Sequence, residues 1–403
     1  MLNKKTLNRS CPVCYNKTGE VLHTQKFALP ENHILPKVYD VVVCSVCGFV
    51  FADTTAKQDD YDVFYRDFSK YEDVTVSSGG GLCEWDKNRL NETAKWLDSA
   101  IDNKSASILD IGCANGGLLH EMHELSNKYT LTGVDPSPSC VSHVSKMGIE
   151  CFKGSLFHQD ALPVDKKYDC IVLTHVLEHV YDLDTAIAAL TSRLNPEGLL
   201  YIEVPDASRY ADYYIVPFYF FDIEHINHFD ENSLLNLFRK SGYGAVSVVK
   251  KVIQVSRENL YPAVGLLLQI STRDSMKLPK IIFDDSVCKS VKAYLAMSYE
   301  KDHHVEIDAL AKSKEPVIIW GAGSYTLRLL ETTSLGKCII SAFIDSDKSK
   351  LGQNIYGIPI VSPDILVSTP PPVCPIVVCA ALYSNDIVQQ IHSMNIKNRV
   401  VIA

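Results

Sequence analysis

The chain has 403 residues, of which 46% are hydrophobic and 22% are charged, as in an ordinary globular protein of two or three domains. Its formal net charge of −9 argues against a broad phosphate-binding surface, and therefore against nucleic acid as a partner. No uninterrupted apolar run reaches about 18 residues and no secretory segment begins the chain, so we expect a cytoplasmic protein with no membrane contact.

The chain begins with two Cys-x-x-Cys pairs, Cys11 with Cys14 and Cys44 with Cys47. Two such pairs can present four thiolates tetrahedrally to one Zn²⁺ ion. Because four cysteine ligands leave no open coordination position, we expect the zinc to be structural. The pattern predicts a zinc-binding domain over residues 1–75, with four buried thiols or a redox pair as the alternative.

Strand-like and helical segments alternate after a Ser-Gly joint at residues 77–81, which is typical of a doubly wound α/β sheet. The expected strands are residues 107–111, 130–134, 169–174 and 198–204. A helix is expected over residues 84–101 and another over 231–241. Strands near 245–255 and 266–272 complete this sheet or lead into the next domain. We place this second domain at residues 76–245 and a third at 246–403.

The first strand of the sheet runs into a loop of small residues that predicts a nucleoside-binding edge. Asp110, at the loop entrance, would repel a phosphate but attract the ammonium of an amino acid. Asp135 ends the next strand and can accept hydrogen bonds from ribose hydroxyls. S-adenosylmethionine contains a ribose and an amino acid but no phosphate, so it is the cofactor that this edge predicts. With Thr174 and His175 from the carboxyl edge of a later strand, the expected cofactor-binding residues are Asp110, Gly112, Ala114, Asn115, Gly116, Asp135, Pro136, Thr174 and His175.

Residues on the acceptor side follow the later strands. His175 and His179 are four apart and could share a helix face, but their apolar flanks favour packing and cofactor contact over a metal site. Further along, Glu224 and His225 lie in an aromatic segment. A histidine beside a carboxylate can take a proton near neutral pH, so His225 is the candidate base. The alternative is that this pair caps or braces the following helix.

The third domain contains a second strand and glycine loop. Gly321 and Gly323 are followed by Thr326 where a third glycine would stand, and Asp345 ends the next strand. This partial dinucleotide fingerprint leaves NAD binding open. We favour an architectural role or one in gripping a nucleotide sugar.

The order of these parts resembles the nucleotide-sugar C-methyltransferases, which methylate C-3 of a nucleotide-linked 4-keto-6-deoxy sugar. The likeness implies a class I methyltransferase (Rossmann-like) core between a four-cysteine zinc domain and a C-terminal Rossmann-like domain. It also implies that Glu224 and His225 lie at the sugar, with His225 as the base. A tyrosine before the core and a histidine after the fourth strand also line the acceptor pocket in that family, and Tyr71 and His179 match them, with Tyr65 as a competing match to Tyr71.

The implied reaction begins with removal of the C-3 proton, which the C-4 ketone acidifies, and the resulting enolate carbon attacks the sulfonium methyl group. One alternative is a sugar or small-molecule O- or N-methyltransferase, in which Glu224 and His225 only position the acceptor. Another is a non-catalytic zinc- and nucleotide-binding protein. A nucleic-acid methyltransferase with a zinc reader is disfavoured by the acidic composition. The nucleotide carrier and the oligomeric state, a monomer included, stay open.

Overall fold

The computed structural model describes residues 4–68, 83–270, 280–368 and 374–403, which form three β-sheets with flanking helices. Within these ranges, no helix is both long and apolar enough to span a bilayer.

The first sheet is antiparallel and belongs mainly to the N-terminal domain. Its strands, in spatial order, are β1 (Lys4–Thr6), β2 (Thr18–Lys26), β3 (Val38–Cys44), β4 (Val50–Asp53) and β10 (Asn227–His228). The last of these comes from the predicted acceptor segment, because Asn227 pairs with Phe51 and His228 with Val50. Helix α1 (Gln58–Phe68) follows the sheet. The N-terminal domain is therefore bonded directly to the segment that carries His225.

The second sheet has seven strands in the spatial order β11-β12-β9-β8-β5-β6-β7. They are β5 (Ser107–Ile111), β6 (Thr130–Asp135), β7 (Glu150–Lys153), β8 (Tyr168–Thr174), β9 (Leu194–Pro205), β11 (Tyr243–Gln254) and β12 (Leu260–Ile270). Five strands run parallel, and β12 pairs antiparallel with both β9 and β11. Numbered within the sheet, the order is 3-2-1-4-5-7-6, a doubly wound arrangement whose strand order reverses beside β5. The predicted domain boundary at residue 245 falls within β11, and the sheet continues to Ile270.

Five helices accompany this sheet: α2 (Glu84–Ala100), α3 (Gly117–Leu125), α4 (Pro138–Lys146), α5 (Leu183–Arg193) and α6 (Glu231–Arg239). Helix α6 begins with a capping box, in which the Asp230 carboxylate accepts from the Ser233 amide and the Ser233 hydroxyl reaches back to the Asp230 amide. Asp230 therefore caps this helix. Glu224 and His225 therefore do not cap it, and that part of the expected alternative is wrong.

The third sheet has six strands in the spatial order β15-β16-β14-β13-β17-β18. They are β13 (Pro316–Trp320), β14 (Ile339–Ile344), β15 (Asn354–Ile355), β16 (Ile358–Val361), β17 (Ile376–Val378) and β18 (Val400–Ile402). All pairs except β15–β16 are parallel. The helices of this part of the chain are α7 (Ser286–Lys301), α8 (Val305–Ser313), α9 (Ser324–Thr332), α10 (Ile365–Ser368) and α11 (Ser384–Ser393).

One aromatic core joins the three parts of the chain. Tyr39 of the N-terminal sheet, Phe220 of the acceptor segment, Tyr261 of β12 and Tyr294 of α7 are all buried in it. The Tyr210 ring stacks on Phe220 with ring centroids 3.8 Å apart. Large aromatic side chains bury much apolar area each, so this core holds the acceptor segment rigidly against all three domains.

Candidate active site

The four N-terminal cysteines come together as expected. Cys11 Sγ lies 3.6 Å from Cys47 Sγ, Cys14 Sγ lies 3.4 Å from Cys44 Sγ, and all four sulfurs lie within 4.8 Å of one another. Sulfur atoms at about 2.3 Å from a tetrahedral Zn²⁺ ion are separated by about 3.8 Å, so the cluster fits that ion. Backbone turns within each pair support it, since the Tyr15 amide donates to Cys11 O and the Gly48 amide to Cys44 O.

The predicted donor loop connects β5 to α3 and is shaped by residues with positive φ. Gly112 has φ +77°, and a Cβ atom there would lie 2.7 Å from Val176 Cγ2. Ala114 has φ 46°, and its amide donates to Asp135 Oδ2 at 2.9 Å. The Ser137 amide donates to Asp135 Oδ1, also at 2.9 Å. Asp135 thus fixes the loop, and each of its oxygens keeps a second lone pair for a ribose hydroxyl.

The remaining predicted donor residues lie around this loop. Asn115 is buried and its side-chain oxygen lies 3.5 Å from Cys140 Sγ. Gly116 has φ +73° and lies against Val144 of α4. Pro136 is exposed and follows Asp135, whereas Thr174 is half-buried at the end of β8.

Asp110 is a buried acid at the loop whose pKa is strongly raised. Its side chain is 2% exposed, and Oδ1 has no hydrogen-bond partner within the described part of the chain. Burial, together with the charge of Asp135, raises the pKa of Asp110 to about 7. A buried carboxylate oxygen without a donor is a site for a cation, so Asp110 fits the ammonium group of S-adenosylmethionine.

His175 lies in a buried charge network rather than beside His179. Its Nδ1 is 3.3 Å from Glu178 Oε1 and its Nε2 is 3.4 Å from Glu203 Oε1. Burial alone would lower the pKa of His175, but the two carboxylates raise it to about 9. Glu203 is fully buried and also accepts from Lys251 Nζ at 2.6 Å. His175 is therefore an imidazolium near neutral pH, at the edge of the sheet next to the donor loop.

His179 and His225 lie together at the centre of the predicted acceptor side. Their rings meet at an angle of 70° with centroids 4.7 Å apart. His179 Nδ1 donates to the backbone oxygen of Glu224 at 3.1 Å, and burial and His225 lower the pKa of His179. The amides of Glu224 and His225 both donate to Asp222 Oδ1, at 2.8 and 2.7 Å. Asp222, which the sequence analysis missed, thus positions both predicted residues.

The family resemblance implies that either Tyr71 or Tyr65 is the tyrosine of the acceptor pocket. Tyr71 lies outside the described residues. The Tyr65 ring meets the His179 ring edge-on at 80°, with centroids 5.7 Å apart. Among the described residues, Tyr65 therefore lies where a tyrosine that lines the predicted acceptor pocket is expected.

The C-terminal glycine loop repeats the geometry of the donor loop. The Ala322 amide donates to Asp345 Oδ2 at 2.8 Å and the Asp347 amide to Asp345 Oδ1 at 2.9 Å, as the corresponding amides do around Asp135. The buried Thr326 hydroxyl donates to Gly321 O at 2.7 Å, and it also lies 3.1 Å from Cys379 O. The residue that departs from the glycine pattern therefore closes the loop by its side chain.

A cavity of about 780 Å³ extends between the acceptor segment and this second loop. Asp222 and Glu224 line one end, and the loop with Asp345 and Lys350 lines the other. The N-terminal domain contributes residues 27–30 to the wall. The cavity does not include the donor loop, so it is a separate space that meets the acceptor side at Glu224.

Four acidic or basic residues of the site that are not among the predicted catalytic or cofactor-binding residues differ in how far the local sequence indicates them. Asp222 and Glu178 precede the predicted histidines by a few positions, and acidic residues next to histidines were a usable hint. Glu203 on β9 and Lys251 on β11 are far apart in sequence and meet across β12, which lies between their strands in the sheet. Such partners depend on topology that a single sequence does not display.

Comparison with known proteins identifies two segments. Residues 85–248 match a family described as a methyltransferase domain, and residues 313–402 match a family described as C2185-like, N-terminal. The ubiquinone biosynthesis O-methyltransferase of Bartonella bacilliformis is 30% identical over 99 residues, which are 24% of this chain and 39% of that protein. The tRNA U34 carboxymethyltransferase of Nautilia profundicola is 33% identical over 113 residues, which are 26% of this chain and 36% of that protein. The chain thus spans about two fifths of the length of the curated relatives it matches.

Among solved structures, the 1,6-didemethyltoxoflavin-N1-methyltransferase of Burkholderia thailandensis is 16% identical, with 58% of this chain and 96% of that one covered and a TM-score of 0.40. The family match covers β5 to β9 and the first half of β11, and the strand order is that of the predicted core. Residues 85–248 therefore belong to a class I S-adenosylmethionine-dependent methyltransferase domain, which confirms the predicted core.

Proposed function

We propose that the protein transfers a methyl group from S-adenosylmethionine to C-3 of a nucleotide-linked 4-keto-6-deoxy sugar. The observation that carries the proposal is the cavity of about 780 Å³, which has Glu224 at one end and a nucleotide-type glycine loop at the other. A sugar joined to a nucleoside diphosphate has the same two-part shape. It would place its sugar at the acceptor histidines and its nucleoside in the C-terminal domain.

On the donor side, Asp110 would hold the ammonium of the cofactor and Asp135 its ribose hydroxyls. When bound, S-adenosylmethionine supplies an electrophilic methyl group. Because Asp110 Oδ1 lacks a partner in the described chain, a cation there would satisfy a buried oxygen.

On the acceptor side, His225 takes the proton from C-3. The C-4 ketone acidifies that proton, and the electron pair of the C–H bond moves into an enolate. C-3 of the enolate would form the new bond to the methyl group as the bond between that methyl group and the sulfonium sulfur breaks, with its electron pair left on the sulfur of S-adenosylhomocysteine. Asp222 holds His225 by its amide, and the backbone of Glu224 holds His179. The backbone of His225 and the ring of His179 are therefore held in place before the acceptor binds, as positioning for proton transfer requires. Glu224 lines the cavity and would bind a sugar hydroxyl.

At the other end of the cavity, Asp345 would meet the ribose of the nucleotide, and Lys350 and Arg328 would face its phosphates. Lys350 Nζ lies 3.0 Å from Asp345 Oδ2 and Arg328 lies 3.1 Å from Asp302 Oδ1, so each cation would share its charge between a carboxylate and a phosphate. In a chain whose net charge is −9, they would form a local rather than a broad anion site. The four N-terminal sulfurs would hold one structural Zn²⁺ ion, which takes no part in the chemistry.

The test is incubation with S-adenosylmethionine carrying a ¹³C methyl group and a panel of thymidine-, guanosine- and cytidine-linked 4-keto sugars. NMR should locate the new methyl group on C-3 of one of them. His225→Ala should abolish both methyl transfer and exchange of the C-3 proton with solvent, whereas His392→Ala, on the exposed face of α11, should retain both. A methyl group on oxygen, or full turnover by His225→Ala, would contradict the proposal.

A second candidate function is O-methylation of a small acceptor, because several curated relatives are named O-methyltransferases. The same histidines could then deprotonate a hydroxyl group, so the site geometry fits both reactions. The labelled product separates them, since an O-methyl carbon and a C-methyl carbon differ widely in chemical shift. Failure to bind S-adenosylhomocysteine in calorimetry would instead favour a non-catalytic protein.

A further inference from the structure

Three potential metal ligands converge on the acceptor side, outside the four-cysteine cluster. Glu178 and His179 belong to a short 3-10 helix, Leu177–His179, and His225 lies in the segment that crosses over it. One ligand atom from each of the three side chains lies within 4.8 Å of the other two. Two imidazoles and one carboxylate are a ligand set that first-row transition metals bind well.

Backbone hydrogen bonds on both sides of His225 hold these residues together. The Ile226 amide donates to Glu178 O at 3.0 Å, and His179 Nδ1 donates to Glu224 O at 3.1 Å. A carbonyl oxygen can only accept, so His179 carries its proton on Nδ1 and its lone pair on Nε2. Metal-binding histidines are commonly oriented in this way, by a carbonyl that takes the other ring proton.

Glu178 supplies an independent indication. Its side chain is 1% exposed, and Oε1 lies 3.3 Å from His175 Nδ1. Its second oxygen, Oε2, is buried and makes no hydrogen bond within the residues that the structure describes. A buried carboxylate oxygen left without a donor is costly, and a cation would satisfy it.

We propose that Glu178, His179 and His225 bind one divalent first-row transition-metal ion. The three residues leave further coordination positions open, unlike the four cysteines, so this ion would be exchangeable. The inference goes beyond the proposed function, which assigns a metal only to the cysteine cluster.

Metal binding has a direct consequence for activity, and this step rests on the proposed function. The lone pair of His225 cannot bind a metal ion and accept a proton at the same time. An occupied site would therefore inhibit methyl transfer, and removal of the ion by a chelator would restore it.

The test begins with protein that holds one equivalent of Zn²⁺ in the cysteine cluster. Titration with Ni²⁺ in a calorimeter should show one further equivalent bound. Glu178→Gln and His179→Ala should each weaken that binding by more than about a hundredfold. His392→Ala should bind as the unchanged protein does, and every variant should retain its first zinc, which shows that it has folded.

The absence of a second equivalent in the unchanged protein would overturn the inference, as would undiminished binding by both variants. A methyl-transfer assay with and without Ni²⁺ separates the two proposals. Methyl transfer by a protein that binds no second equivalent of Ni²⁺ during the titration, and that Ni²⁺ does not inhibit, would leave the proposed function standing and refute the metal site. Saturable Ni²⁺ binding that both variants lose, in a protein that methylates no acceptor, would support the metal site and refute the proposed function.

Discussion

Replacement of Asp110 by asparagine should stabilise the cofactor-free protein at alkaline pH while removing its affinity for the cofactor. The carboxyl group is buried, and burial with the charge of Asp135 raises its pKa to about 7 from an ordinary value of 3.8. Its folded pKa is therefore above its unfolded pKa, so the folded protein binds the proton more tightly. Stability due to this group is complete below the unfolded pKa and is lost as the pH rises through the folded pKa.

The magnitude follows from the two pKa values. Each unit of difference corresponds to about 1.4 kcal/mol, so the full loss is about 4 kcal/mol at pH above 7. Between pH 5 and pH 8 the free energy of unfolding of the unchanged protein should fall by about 3 kcal/mol relative to that of Asp110→Asn. The free energy of unfolding, measured in urea at several pH values, gives this difference directly.

The control for loss of one negative charge is Asp160→Asn, because Asp160 is exposed. Its unfolding curve should run parallel to that of the unchanged protein from pH 5 to pH 8. Calorimetry with S-adenosylhomocysteine should show binding by the control variant and none by Asp110→Asn. If the Asp110→Asn and unchanged curves are also parallel, the carboxyl does not carry a buried charge at pH 8 and the reasoning fails.

Three further predictions concern stability. Glu203→Gln should destabilise the protein by about 3 kcal/mol in urea unfolding, because it leaves Lys251 and the imidazolium of His175 without their buried partner; an unchanged midpoint would contradict the network. Thr326→Val should cost about 1 kcal/mol, because two loop carbonyls lose their hydroxyl partner, whereas Thr326→Ser should recover most of the loss. Cys44→Ser should lower both the zinc content and the melting temperature, and a variant that keeps one full equivalent of zinc would count against the four-sulfur site.

Sequence reasoning recovered the parts of this structure that are encoded over short distances. The donor loop was predictable because a buried strand, small residues and an acid at fixed spacing produce one local geometry around Asp135. The cysteine cluster was predictable for the same reason. His225 was identified by its neighbours along the chain, but the residue that positions it, Asp222, looked like any other acid in an aromatic segment.

Features that depend on distant pairing were not predictable. Nothing in the sequence around Asn227 indicates a strand, because two residues carry no periodicity and the partner strand lies in another domain. The role of Thr326 was also hidden, since its hydroxyl replaces what the glycine pattern achieves by the absence of a side chain. In both cases tertiary contacts determine what the residue does, and local sequence propensity does not indicate it.

The strand β10 makes the N-terminal unit and the methyltransferase core inseparable as working parts. Because the sheet that surrounds the cysteine cluster takes its last strand from the segment next to His225, a metal ion in that cluster would reinforce the acceptor residues without touching the acceptor. A methyltransferase core excised without residues 4–53 would leave this strand unpaired beside the histidines it supports. Exchange of the N-terminal unit between related enzymes would therefore succeed only if the strand that completes it were exchanged as well.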